Sequence, residues 1–261
     1  MNTVNNKFGG ISYITLLIML LMFTSTCVQE KIIELPVPEL DSITDAEGNI
    51  YKTVKIGDQW WMAEDLRVKR YSNGDSITFI NTKNFSIEFD SARWKSIKDT
   101  GTYCKGAFGL LYNWYAVKDT RNIAPAGWHV PTDYEWKKLE IYLGMGKEVS
   151  DSINWRGTNE GNKLKIQGVG LTSWTTPDNK YKVWGSNESG LSALPDGCMM
   201  FNGIPGNPGP SYTGFWWTTS EQNGEAWYRY LDYNKPNVFR FYGPKNYGFS
   251  IRCVKDVSIG N

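Results

Sequence analysis

Between Phe215 and Val254 the chain contains four short aromatic-rich runs, WWTTS (216–220), AWYRYL (226–231), VFRFY (238–242) and FSIRCV (249–254), separated by short polar stretches. Runs that alternate with a period of two and are joined by tight turns find their nearest partner in the next run, so the pattern predicts an antiparallel meander. The same feature disfavours an all-helical chain. Composition agrees, because 12 Trp, 15 Tyr and 26 Gly supply flat side chains for strands and positive-φ positions for turns.

One segment departs from that period. In PTDYEWKKLEIYLG (131–144), Thr132 and Glu135 have capping-box spacing, and Trp136, Leu139 and Leu143 recur at helical spacing. Gly144 stands where a left-handed C-cap residue is wanted. This predicts a helix that packs one face on a sheet. Residues 45–62 place Ile50, Val54 and Ile56 on one face of a hairpin turning at Gly57-Asp58, with a second turn at Asn73-Gly74. Ser91 to Lys98 reads as a short helix with Trp94 and Ile97 as its buried pair, and GLLYNWYAV (109–117) as a strand or buried segment. From Asn159 to Gly214 the chain is rich in Gly, Asn, Ser and Pro, culminating in NGIPGNPGPSYTG (202–214). The expected class is α+β, with twisted antiparallel sheets, one main helix and a long irregular loop region.

The N-terminus reads as an export signal. Lys7 precedes the apolar run Ile14 to Phe23, which is too short to span a bilayer and suits a signal-peptide core. Thr24, Ser25 and Thr26 then lead directly to Cys27, a pattern resembling the bacterial lipobox, in which the Cys is acylated. The expected organisation is a signal peptide over 1–26, an extended tether with Pro36 and Pro38 over 27–44, and a globular domain over 45–257. Lipidated Cys27 would give the protein a membrane partner in the cell envelope, at the outer membrane or cell surface.

With Lys7 set aside, 27 basic and 27 acidic side chains remain from Cys27 onward, a balance that argues against nucleic acid as a partner. No GxSxG, HExxH or CxxC motif occurs, so the sequence points to no catalytic residue, no cofactor and no metal. His129, the single histidine, reads as structural. Glu221, Glu225 and Asp232 are candidates to flank a glycosidic bond, which makes an extracellular glycan-active enzyme the alternative reading.

Seven blocks resemble the Fibrobacter succinogenes major paralogous domain of surface and secreted bacterial proteins. They are DAEGNIYKTVKIGDQWWMAEDLR (45–67), GLLYNWYAV (109–117), APAGWHVPTDYEWKKL (124–139), ESGLSALPDG (188–197), FWWTTSE (215–221), AWYRYLDY (226–233) and YGFSIRCVKD (247–256). The resemblance implies a fold distantly similar to C-type lectins and the formylglycine-generating enzyme, and it implies no activity. Lys235-Pro236-Asn237 falls near the calcium tripeptide of lectins, yet Lys235 brings a positive charge where calcium wants oxygen. Ala124 stands where many members carry Cys, and Cys198 where an aromatic is common.

Two further expectations concern sites. Phe249, Ile251 and Cys253 share one face of the last strand, which predicts a buried Cys253; its partner, if oxidised, is Cys198 or Cys104, with Cys198 favoured. Of the adjacent Trp216 and Trp217, strand alternation sends one to each face. An exposed indole there, with Glu221, Asp232, Asn234 and Asn237, would form a face for an extracellular glycan or protein. The leading reading is a lipid-anchored, non-enzymatic binding or structural module.

Overall fold

In the computed structural model, residues 39–79, 91–96, 108–167, 174, 185–199 and 212–257 are described. The signal segment, Cys27, most of the tether, Cys104 and residues 202–211 of the Gly/Pro-rich loop lie outside them. The chain from Pro38 onward forms one compact unit.

The N-terminal part is a five-stranded sheet. Strands β1 (Leu40–Thr44), β2 (Ile50–Ile56) and β3 (Gln59–Met62) form an antiparallel ribbon, with Leu40 opposite Val54 and Ile56 opposite Gln59. The two-residue turn between β2 and β3 is Gly57-Asp58, where Gly57 takes φ +62°, a value that costs any other residue steric strain. The domain therefore begins before Asp45, because residues 40–44 of the expected tether are a paired strand. Ile50 is 63% exposed, unlike Val54 and Ile56 on its face, because the packing that covers those two does not reach the first residue of the strand.

β4 (Thr78–Phe79), β5 (Arg93–Ser96) and β6 (Leu110–Tyr112) make a small second sheet. The short helix expected over 91–98 is thus a strand: Arg93–Ser96 pairs with β6, and backbone pairing to a distant segment outweighs a weak local helical pattern. Ile97 and the Trp94 side chain lie outside the described residues. A helical turn α1 (Trp114–Val117), capped by the Asn113 side chain, follows β6 directly, and the short strand β7 (Trp128–His129) comes next.

The main helix α2 (Asp133–Tyr142) has the anticipated capping box: Thr132 accepts from the Glu135 backbone N–H, and the Glu135 carboxylate accepts from the Thr132 N–H. Trp136, Leu139 and Leu143 are buried, and Gly144 has φ +115°. Beyond it come α3 (Lys147–Ser150), β8 (Asn154–Arg156) and α4 (Glu160–Leu164).

Three of the four C-terminal runs form the predicted meander, β9 (Thr213–Gln222), β10 (Glu225–Asp232) and β11 (Val238–Gly243). Asn223 and Gly224, both at positive φ, turn β9 into β10. The fourth run does not join them; β8 pairs with the outer side of β11 instead. Residues 249–253 run beside β9 in parallel, with Trp217 N–H donating to Ser250 O and Ser250 N–H to Phe215 O. The chain then enters the N-terminal sheet as β12 (Val254–Lys255), between β3 and β7. A last segment that bonds to both sheets ties them together, whereas a fourth meander strand would have left them separate. Among the described residues no helix is long and apolar enough to cross a membrane.

Two apolar clusters result. One holds Tyr112, Trp114, Trp128, Phe215, Trp217, Phe249, Ile251 and Cys253; the other holds Val54, Trp61, Trp136, Leu139, Trp174, Trp216 and Val254. Each fully buried large side chain contributes roughly 1.5–3 kcal/mol of transfer free energy.

Candidate functional site

The Trp216–Trp217 face does not exist as a surface. Alternation does send the two indoles to opposite sides of β9, but each side is a core: Trp216 is 1% and Trp217 0% exposed. Trp216 Nε1 donates to Asp65 Oδ1 at 2.7 Å and Trp217 Nε1 to the Tyr112 carbonyl at 2.8 Å. Gly214 makes room for this, since a Cβ there would stand 2.4 Å from Trp216 Cη2. The polar residues of that face are also dispersed. Glu221 pairs with Lys245 at 2.5 Å at one end of the β9–β10 ribbon, while Asp232, held by the Tyr230 hydroxyl and the Asn234 N–H, sits at the other. Glu221 lies opposite Ala226 and Asp232 opposite Thr213, so six strand residues, roughly 20 Å, separate them. Glu225 shares the hairpin end with Glu221. Asn234 is exposed and Asn237 half-buried in the turn beyond β10.

The Lys235-Pro236-Asn237 turn is fastened inward. The buried Lys165 ammonium donates to Lys235 O at 2.6 Å, and Asn162 N–H to Pro236 O at 3.0 Å. Burial pulls the Lys165 pKa down to about 8. Cys198 and Cys253 are both free thiols, so the pairing favoured for an oxidised Cys253 is not formed. Both are buried in the same apolar cluster, where a thiol packs as a small hydrophobe without needing a partner. Burial pushes the Cys198 thiol up to about 12 and raises that of Cys253 as well.

Elsewhere two buried networks hold charged side chains. Under α2, Arg229 and Arg240 both bond Asp133, Arg229 also bonds Glu140 at 2.7 Å, and Arg156 lies 2.8 Å from Glu140. Although burial opposes it, the two guanidinium groups hold the Asp133 carboxyl below its ordinary range. Between the sheets, Arg252 bonds Asp65 at 2.7 Å, and Ser250 Oγ donates to Asp196 at 2.9 Å. Burial first, and the neighbouring Asp65 charge second, hold Asp196 well above the usual carboxylate range.

A groove of about 710 Å3 opens at the N-terminal end of α2. The β2–β3 turn contributes Asp58, β3 contributes Trp60, and β7 contributes His129. The helix contributes Tyr134 and Lys138, and the end of β12 contributes Lys255 and Asp256. Tyr134 is 66% exposed and Trp60 half-buried. The alternation expected of one Trp pair thus holds at the other: Trp61 is fully buried while Trp60 reaches the rim. That pair carried the same signal in the sequence, and only packing distinguishes the two. His129 bridges two carboxylates, Nδ1 to Asp256 at 2.6 Å and Nε2 to Glu135 at 2.8 Å. Glu135 above all, then Asp256, raises its pKa to about 8 despite partial burial. An imidazole bonded at both nitrogens has no lone pair for a base to use. Thr132 Oγ1 is likewise engaged, with Glu135. Among the described residues no three His, Cys, Asp or Glu side chains are grouped to hold a metal ion.

Mostly antiparallel sheets with few short helices and, among the described residues, no closed barrel, together with an open groove bearing Trp60 and Tyr134, are the class these features define. Within that class the chain belongs to the Fibrobacter succinogenes major domain family, whose model matches residues 54–255. Neither the curated proteins nor the solved structures yield a match.

Proposed function

We propose that this protein is an exported, lipid-anchored, non-enzymatic module of the cell envelope that binds an extracellular glycan in the groove beside α2. The observation that carries the reading is the groove itself: a rim-exposed Trp60 and an exposed Tyr134 on rigid elements, surrounded by charged side chains that can bond hydroxyl groups. Aromatic plates with polar neighbours suit the C–H faces and hydroxyls of sugars. Engagement of His129 on both sides, and the separation of Glu221 from Asp232, favour binding over hydrolysis. The return of β12 to the N-terminal sheet after the β9–β11 meander supports a C-type-lectin-like arrangement.

The anchor rests on Cys27 following the apolar run and three small residues. Cys27→Ala should shift the protein from the membrane fraction to the soluble exported fraction; unchanged mass and fractionation would reject lipidation. For the groove, a fragment starting at Val28 is titrated with a panel of neutral and acidic oligosaccharides and followed by Trp fluorescence and calorimetry. At least one glycan should bind, and Trp60→Ala should abolish binding with little change in Tm. Binding undiminished in Trp60→Ala would place the site elsewhere, and silence across the panel would reject glycan recognition.

A further inference from the structure

The groove's charges divide unequally. Asp58 is paired with Lys138 at 2.7 Å, and Glu135 and Asp256 are both held by His129. Each carboxylate is therefore already bonded within the protein, Glu135 and Asp256 sharing the one imidazole. On the other side, Lys55 Nζ and Lys255 Nζ each stand 6.0 Å from the Trp60 ring centroid. Lys55 bonds Glu39 at 3.1 Å across an exposed surface, whereas Lys255 makes no ion pair among the described residues. Strand pairing explains the placement. Lys55 lies directly opposite Trp60 in the β2–β3 register, and β12, which carries Lys255, is the next strand over. A stacking plate is thus flanked by two ammonium groups, one of them uncommitted.

We infer that the groove takes an acidic saccharide, a hexuronate-type unit whose ring stacks on Trp60 and whose carboxylate meets Lys255. The inference rests on the glycan reading and specifies its ligand class. The carboxyl carbon of a hexuronate projects from the edge of the ring. When the C–H face lies on the indole, that carboxylate reaches beyond the stacked rings, with both lysine ammonium groups 6.0 Å from the indole centroid. A carboxylate carries one negative charge against one free ammonium, and a charge-assisted hydrogen bond is stronger than a neutral one. A cationic ligand would have to compete with Lys138 for Asp58 and with His129 for Glu135 and Asp256.

The test uses the full chain in detergent micelles, titrated calorimetrically with trigalacturonate and with its neutral methyl ester. The acid should bind about 3- to 5-fold more tightly, the effect of one solvent-exposed ion pair. Added salt should narrow the gap by screening. Lys255→Gln should bring the affinity for the acid down to that for the ester in the same variant, and Lys255→Arg should restore the preference. Equal affinities in the wild type, or a preference that survives Lys255→Gln, would overturn the acidic-ligand inference while leaving glycan binding intact. Binding of neither sugar by the wild type would remove both.

Discussion

Asp65 and Asp196 meet inside the protein at 2% and 1% exposure, with Arg252 fully buried beside Asp65. Removing one member of a buried ion pair leaves the other charge uncompensated, which costs about 3–5 kcal/mol. Here a spare acid is at hand. Burial first and the Asp65 charge second raise the Asp196 pKa, so Asp65→Asn should lower it and let Asp196 partly replace the lost carboxylate. Urea unfolding should therefore show a smaller loss for Asp65→Asn than for the Asp65→Asn, Asp196→Asn double variant. Equal losses would mean that the second carboxyl does not respond. His129 supplies a pH dependence of definite sign. Its folded pKa of about 8 lies above the ordinary value, so its contribution is complete below about pH 6.5 and fades as pH rises through the folded pKa. The side chain is 36% exposed, so screening keeps the contribution under about 1 kcal/mol. The Tm difference between wild type and His129→Gln should be largest near about pH 6 and vanish by about pH 9. A difference that grows with pH would contradict the assignment.

Among elements, β1 is the one a domain boundary drawn at Asp45 would remove. It pairs along its whole length with β2 at the edge of the five-stranded sheet, and Glu39 O accepts from Lys55 N–H. Deleting it exposes the β2 backbone as a new edge, which both loses ladder bonds and invites association. A fragment starting at Asp45 should unfold at lower urea and elute as larger species than one starting at Val28; identical midpoints and monomeric elution would make β1 dispensable. The helix α2 carries its own test. Its capping box closes at Thr132 and Glu135, and Thr132→Ala should cost about 1 kcal/mol. An unchanged urea midpoint in Thr132→Ala would show that the cap contributes nothing.

For the molecule as a whole, the two free thiols report on global opening. Cys198 and Cys253 are buried in one cluster, and burial keeps both as thiols at neutral pH. In a Cys27→Ala, Cys104→Ser background, an aromatic disulfide reagent should label neither until denaturant unfolds the domain, since the thiolate is the reacting form. Fast labelling of Cys253 in the native state would show that the final segment between the sheets detaches by itself.

The sequence alone determined what depends on neighbours along the chain. The capping box and Gly144 of α2, the Gly57-Asp58 turn, the three meander strands and the burial of Cys253 follow from period, cap chemistry and positive-φ residues, all local properties. Tertiary structure decided whatever depends on what lies across a face. Strand alternation gives Trp60-Trp61 and Trp216-Trp217 the same reading, yet β9 is covered on both sides and its indoles are core, while Trp60 is left at the rim. Arg93–Ser96 became a strand because β6 arrives from elsewhere in the chain, and residues 249–253 left the meander because bonding to both sheets satisfies more backbone groups. The groove joins Asp58, His129, Tyr134 and Lys255 from four separate segments. No spacing along a sequence encodes that convergence, because it is set by how the sheet and the helix pack.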